Sequence, residues 1–194
     1  LDYDGDGVVD SATVRTDASG GYSIATTNSS YTVIAVADDT TIDTSSGVVL
    51  SGITLKAPQG ATVVTPTTTL MEEGDLTASQ VASVLGLSDI EFDPLTFNPF
   101  ADGVSASDAL AVEKASHQVM SVVNAFASAA EGAGATEAAA YSAALNSIVE
   151  VVKAKAGESA SLDLTSTIDL GEIATEMATA DGVNTAVFNE LAVD

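Results

Sequence analysis

The sequence has no cysteine, no tryptophan, a single histidine, a single arginine, and five basic residues in all against 28 acidic ones. Without cysteine there can be no disulfide staple, no thiol nucleophile and no thiolate metal site. With His117 as the only histidine, neither a common nucleophile–base pair nor a histidine-rich zinc site can be assembled. The formal charge of −23 repels phosphate backbones and anionic membrane surfaces, so nucleic acid is not an expected partner. No apolar run approaches the roughly 20 residues of a membrane-spanning helix, so no membrane insertion is expected. What such a surface attracts is divalent cations.

An acidic chain can be disordered. Here 46% of the residues are hydrophobic and the charges are dispersed among them, which predicts a packed fold. The 194 residues suffice for one domain or two small ones sharing a core. The chain begins at Leu1 rather than Met and is expected to be one piece of a larger secreted protein. A secreted chain without disulfides must rely on a large core or on bound metal.

The character of the sequence changes near Met71. Residues 1–70 are rich in Thr, Val, Ser, Gly and Asp, the composition of short strands and tight turns. Strands are expected over 11–16, 22–26, 31–37, 48–56 and 61–65. A turn is expected at 17–21, a hairpin at 28–30, and an end to pairing at Pro66, which has no amide donor. Residues 71–194 turn to Ala, Glu and Ser with helical spacing. Thr77 with Gln80 forms a capping-box pattern, and Gly86 stands past the end of that short helix. The two prolines and three phenylalanines of 91–100 predict a loop pinned to the core. A long helix is expected from Ser105 or Ser107 to Glu131, with Val112, Ala115, Val119, Val122 and Phe126 as its buried stripe. A second is expected over 136–156, with Tyr141, Leu145, Ile148 and Val152 inward. The break at Gly132-Ala133-Gly134 makes the two an antiparallel hairpin. Shorter helices are expected over 170–180 and 182–191. The predicted class is α+β: a small antiparallel β-sandwich lobe (1–70) packed on an α-helical lobe (71–194), together one compact module.

The opening run carries the chemistry. Calcium takes several oxygen ligands in irregular geometry, and aspartates at alternate positions of a curled backbone supply them. Asp2, Asp4 and Asp6 occupy positions 1, 3 and 5 of such a loop, and Gly7 stands at position 6, where the chain must turn. Val8 offers a backbone carbonyl at position 7, and Asp10 stands at position 9. Position 12 is Thr13, not the bidentate Glu of an EF-hand, and the flanks read as strand rather than helix. The loop is therefore expected to bind Ca2+ as a structural clamp, not as a sensor. A second, weaker candidate is Asp38-Asp39-Thr40-Thr41-Ile42-Asp43, with Asp39 and Asp43 as ligands. The alternative for both is a polar turn without metal.

The Asp2 to Asp10 run followed by Thr16-Asp17-Ala18-Ser19-Gly20-Gly21-Tyr22 resembles the calcium-bearing β-sandwich modules of bacterial surface proteins. In those a strand normally precedes the Asp loop, whereas this chain starts at the loop. The stretch from Thr41 to Gly47, then Leu55-Lys56-Ala57-Pro58-Gln59-Gly60-Ala61-Thr62-Val63-Val64-Thr65-Pro66-Thr67-Thr68-Thr69-Leu70, resembles a segment of giant RTX-type adhesins that closes a sandwich and leads into helices. One kind of module in such adhesins binds the C-terminal end of other proteins with the help of calcium. The resemblance implies a secreted, cell-surface location and a role in adhesion. Its partners would be a protein or peptide on another cell and the neighbouring modules of its own chain. It assigns no ligand-contacting residue. The ligand site is expected where the β lobe meets the helices, with the tail Ala192-Val193-Asp194 a mimic of such a ligand. The alternative reading is a structural extender that calcium rigidifies between neighbouring modules.

No enzyme is expected. His117 lies off the apolar stripe of its helix and reads as a surface histidine. With 28 acids, carboxylate pairs arise by chance. Gly20-Gly21 lacks the Gly-Lys-Ser/Thr of a phosphate loop. The hydroxyls of Thr65, Thr67, Thr68 and Thr69 are expected to serve a capped strand-to-helix crossover. Phe92, Phe97 and Phe100 are expected to seal the junction between the lobes, and Met71, Met120 and Met177 to fill core.

Overall fold

A run of threonines decides how the strands meet the helices. The computed structural model describes residues 1–43, 47, 49–50, 52–180, 183–186 and 188. In it β4 (Thr54–Ala57) leads within nine residues into α1 (Pro66–Gly74). Thr65 caps the helix: its hydroxyl accepts the Thr68 N–H, and the Thr68 hydroxyl accepts the Thr65 N–H at 2.8 Å. Pro66 follows at the first helical position, where a missing N–H costs nothing and the fixed φ suits the helix. The hydroxyls of Thr68 and Thr69 then turn to β4. Thr69 accepts the Lys56 N–H at 2.9 Å, and Thr68 donates to the Lys56 carbonyl at 2.8 Å. Both threonines are fully buried, so these bonds satisfy groups that water cannot reach.

The strands are fewer and shorter than expected. β1 (Val33–Val36) pairs antiparallel with β4, Val33 opposite Ala57 and Val36 opposite Thr54. β2 (Thr41–Ile42) pairs antiparallel with β3 (Val49–Leu50). One bridge, Asp2 to Thr32, lies outside these strands. This is a mixed α and β fold, but among the described residues its β part is two two-stranded antiparallel pairs and not a clear sandwich. Residues 11–16, 22–26 and 61–65 form no strand. The Asp17 turn does form, with the Asp17 N–H donating to the Gly21 carbonyl at 2.9 Å, yet no ladder extends from it. The reason is burial. Val14 is exposed, and the residues beside it are Thr, Ser, Ala and Arg, so 11–16 has strand propensity but no apolar face to bury, while 22–26 and 61–65 place only Ile24, Ala61 and Val64 against the β-side cluster. The single strand expected over 48–56 is two, and Gly52 between them holds a left-handed φ of 71° that breaks the run. Residues 48 and 51 of that stretch lie outside the described residues.

The helices follow the expected pattern closely. α2 (Ala78–Val84) has the Thr77–Gln80 capping box. α3 (Ala106–Gly132) and α4 (Glu137–Glu158) are joined by four residues and pack along each other. Val112, Ala115, Val119 and Val122 on α3 are buried, as are Tyr141, Leu145, Ile148 and Val152 on α4. Phe126 is half-buried and lies 6.2 Å from the ring of the buried Phe188. α5 (Thr167–Met177) starts three residues earlier than expected, because Ser166 caps it by accepting the Ile168 N–H. The helix expected over 182–191 and the tail 192–194 lie largely or wholly outside the described residues.

The main core lies among α1 to α5, around Leu70, Val123, Ile148, Ile173 and Met177. A smaller cluster of Ala82, Leu87, Val112 and Ala115 receives Phe92 and Phe97, whose rings meet edge to face at 5.4 Å. A third, of Leu1, Val33 and Ala57 with Tyr3, Ile24 and Tyr31, belongs to the β part. The boundary drawn at residue 71 falls inside α1, which packs on both β4 and α4. Tyr141 on α4 adds a direct tie, donating its hydroxyl to the Thr54 carbonyl at 3.2 Å.

Candidate metal centre

The acidic loop is built around Asp2, which is 3% exposed although it carries a charge. Its backbone exchanges two hydrogen bonds with Thr32, at 3.0 and 2.9 Å, and so hangs on the end of β1. Its carboxylate accepts three backbone N–H groups, from Gly5 at 2.8 Å, Gly7 at 2.9 Å and Asp4 at 3.2 Å. Gly7 holds φ at 82°, the left-handed turn that position 6 of the loop requires. Burial, the largest influence on Asp2, pushes its carboxyl up. The Gly5, Gly7 and Asp4 amides and the charge of Lys56 together outweigh it, and the carboxyl sits below its ordinary value.

Asp10 closes the loop. Its carboxylate accepts the Tyr3 N–H at 2.7 Å, and its own N–H donates to the Leu1 carbonyl at 2.8 Å. As a result Asp2, Asp4 and Asp10 each present a carboxylate oxygen within 4.8 Å of the others. Two oxygens on one calcium ion, each at 2.3–2.6 Å, stand at most about 5 Å apart. The spacing of the three aspartates is compatible with that span, and an all-oxygen donor set is of the kind a hard cation takes. When bound, the ion would supply charge neutralisation and cross-linking.

Asp6 is not in this group. It is exposed, and its Oδ1 accepts the Val8 N–H at 2.8 Å. Val8 stands at the rim with an exposed side chain. The second candidate is not gathered in the same way: among the described residues Asp39 and Asp43 join no group of three acids at ligand distance. Their neighbour Asp38 is committed to Arg15, at 2.6 Å, and to the Thr40 hydroxyl and amide. These contacts, Arg15 foremost, hold the Asp38 carboxyl far below the ordinary range.

Two residues of α1 reach the loop's surroundings, a link with no signal in the sequence. The Thr32 hydroxyl donates to the Glu72 carboxylate, and Lys56 on β4 is paired with Glu73 at 2.8 Å. Lys56 also faces the loop: a Cβ placed on Gly7 would lie 3.9 Å from its Nζ. Strand periodicity can place a lysine on one side of a strand, but not opposite a loop some fifty residues earlier.

The remaining features are these. His117 is exposed, with Nε2 3.7 Å from Glu113 one turn away. Two open clefts lie in the helical part. One, of about 380 Å³ between α4 and α5, is lined by Asn146, Ser147, Glu150 and Glu176 among others. The other, of about 370 Å³, is lined by Leu85, Lys114, Gln118 and the 161–165 segment. Neither lies at the junction of strands and helices. The expected phenylalanine seal is not there either: Phe92 and Phe97 pack on the α2–α3 cluster, and Phe100 is exposed. The tie between the 91–100 loop and the strand side is instead a backbone bond, from the Thr62 N–H to the Leu95 carbonyl at 2.7 Å. No described helix is long and apolar enough to cross a membrane. No protein-family model, no curated protein and no solved structure matches the chain.

Proposed function

We propose that this chain is a calcium-dependent, non-catalytic binding module of a bacterial surface adhesin, one that takes a protein or peptide C-terminus on another cell. The observation that carries the reading is the convergence of the Asp2, Asp4 and Asp10 carboxylates on one point. It agrees with the resemblance of the first 100 residues to RTX-type adhesin modules. An acidic surface repels a free carboxylate, so a bound calcium ion is the natural anchor for a peptide terminus. The location would be extracellular, at the bacterial surface.

A second reading, a calcium-rigidified extender, is favoured by one specific observation. The loop is tied through Asp2 to Thr32, and from Thr32 to Glu72 on α1, which is how a clamp between elements would be attached.

The test is calorimetric titration of the chain with calcium, followed by thermal denaturation with calcium or EDTA. Metal that binds only the folded state adds stability as its concentration rises above Kd, about 2.7 kcal/mol at a hundredfold excess. The melting temperature should therefore fall on chelation. An unchanged melting temperature and no binding heat would remove both readings. If calcium does bind, peptides with free and amidated C-termini separate the two: preference for the free acid supports the binding module, and no binding of either supports the extender.

A further inference from the structure

The fold treats the two outer edges of the β1–β4 pair differently. The edge of β4 is covered. The Lys56 N–H donates to the Thr69 hydroxyl, the Lys56 carbonyl accepts the Thr68 hydroxyl, and the Thr54 carbonyl accepts the Tyr141 hydroxyl. The edge of β1 is open. Ile34 stands opposite Lys56, and just past the strand the Ala37 N–H donates to the Ile53 carbonyl at 2.8 Å. Antiparallel bonding alternates, so Val33, Ala35 and Ala37 turn their backbone groups to β4, while Thr32, Ile34 and Val36 turn theirs away. Thr32 exchanges its pair of bonds with Asp2. Among the described residues no strand lies beyond that bridge, so the N–H and carbonyl groups of Ile34 and Val36 face outward. Exposed edges are commonly blunted by lysine, proline, a bulge or an inward charge. Ile34-Ala35-Val36 has no such device, Ala35 is exposed, and Val36 is 64% exposed. The Asp2–Thr32 bridge is itself an antiparallel pairing on this edge, stopped one step short of Ile34.

We propose that the outer edge of β1 is a strand-addition site for an extended peptide segment that is basic with alternate apolar residues, paired antiparallel to Ile34–Val36. The backbone groups of Ile34 and Val36 supply the bonding, and the exposed Val36 side chain supplies an apolar contact on one face. Charge selects the occupant. Asp4, Asp6 and Asp10 stand exposed toward one end of the edge, Asp38 and Asp39 follow its other end, and Arg15 is paired with Asp38. A second copy of the chain would bring its own charge of −23 to this strip, whereas a basic segment meets opposite charge at both ends. The site needs neither calcium nor a free C-terminus, so it goes beyond the binding reading above and stands apart from it.

The experiment is an NMR titration of the whole chain, in EDTA and again in calcium, with the capped peptide acetyl-Lys-Lys-Val-Lys-Val-amide. Leu1 stands opposite Val33, so this probe is laid along 34–38 with its valines opposite Ile34 and Val36. The Ile34 and Val36 amide signals should shift and their hydrogen exchange should slow, in both conditions alike. Methylating the two valine nitrogens of the peptide should weaken binding about tenfold or more, at about fivefold for each hydrogen bond lost. Replacing its lysines by glutamate should weaken it about tenfold or more, by like-charge repulsion. In the protein, V36P removes an outward N–H at an edge position where proline is tolerated, and should abolish binding. V36K keeps the backbone and adds a repelling charge at an exposed position, and should weaken binding several-fold with the melting temperature unchanged. The proposal is overturned by the absence of any shift at Ile34 and Val36 with about 5 mM peptide, or by equal binding of the N-methylated peptide. Sedimentation showing a dimer that V36K dissociates overturns it as well, since the edge would then belong to a second copy. Each of these readouts is obtained in EDTA, so failure here leaves the calcium reading standing, and failure of calcium to bind leaves this site standing.

Discussion

Two side chains show how burial and hydrogen bonding decide what a residue contributes. Asp2 is charged and almost wholly inaccessible, and three amides hold it so. Asparagine would turn an NH2 group toward one of those N–H donors, so D2N should lower the melting temperature even in EDTA. D6N should leave the chelated protein unchanged, because Asp6 is exposed and takes only the Val8 amide. Since the Asp2 carboxyl sits below its ordinary value, its contribution is present at neutral pH and is lost as pH falls through the folded-state value. The acid limb of a stability–pH curve should therefore be shallower in D2N. Tyr141 has the opposite sign. Burial, with the Glu73 charge nearby, pushes its phenol up from 10.0 to about 12. The stabilisation is whole below pH 10 and is lost between there and about pH 12, where the unfolded phenol ionises first. It amounts to roughly 2–3 kcal/mol. Urea midpoints measured across that window should fall less steeply in Y141F. The alternation of Asp2, Asp4, Asp6 and Asp10 was readable in the sequence. Which three would converge was not, because that depends on which oxygens the local amides claim.

At the scale of elements, the helices were readable and the strands mostly were not. α3 and α4 are long enough for their apolar period to dominate, and the stripes found in the sequence are the ones buried. I148A at the centre of the main core should cost about 2–5 kcal/mol by loss of transfer energy and creation of a cavity. The capped crossover at Thr65 was legible, but the start of α1 at Pro66 was not, because a proline followed by three β-branched threonines has poor helix propensity. Tertiary bonds override that propensity: the threonines are needed as hydroxyls against β4. Thr69→Val keeps the shape and strands the part-buried Lys56 N–H, at an expected cost of about 1–3 kcal/mol in chemical denaturation. The expected strand over 11–16 failed for the reverse reason, since propensity without an apolar face does not make a sheet.

The whole molecule is governed by its charge of −23, which only five basic residues oppose. Among the described residues four of those five sit in ion pairs, including Lys155 between Glu172 and Asp169, which hold its ammonium well above the ordinary value. The large excess of negative charge works against the folded state. Raising sodium chloride from about 10 mM to 0.5 M shortens the screening length several-fold, so the melting temperature should rise in EDTA, without any metal. Calcium should give a further rise at constant ionic strength. The acidic composition foretold this regime, but not the small extent of the described strands, for which residues 11–30 pack little more than Ile24.

The threonine junction also fixes an order of events in time. Lys56 and Thr69 are 13 residues apart, so closing that loop takes little entropy, whereas Tyr141 and Thr54 are 87 apart. Low sequence separation makes the β4–α1 unit an expected early piece of folding, and the acidic loop, fastened to Thr32 by a pair of backbone hydrogen bonds, is expected to dock on it later. If the loop is the metal clamp proposed above, residues 1–11 should be the first to peel away on chelation, while the helices are still intact. In a chelated sample, a protease would meet the loop long before it met the core.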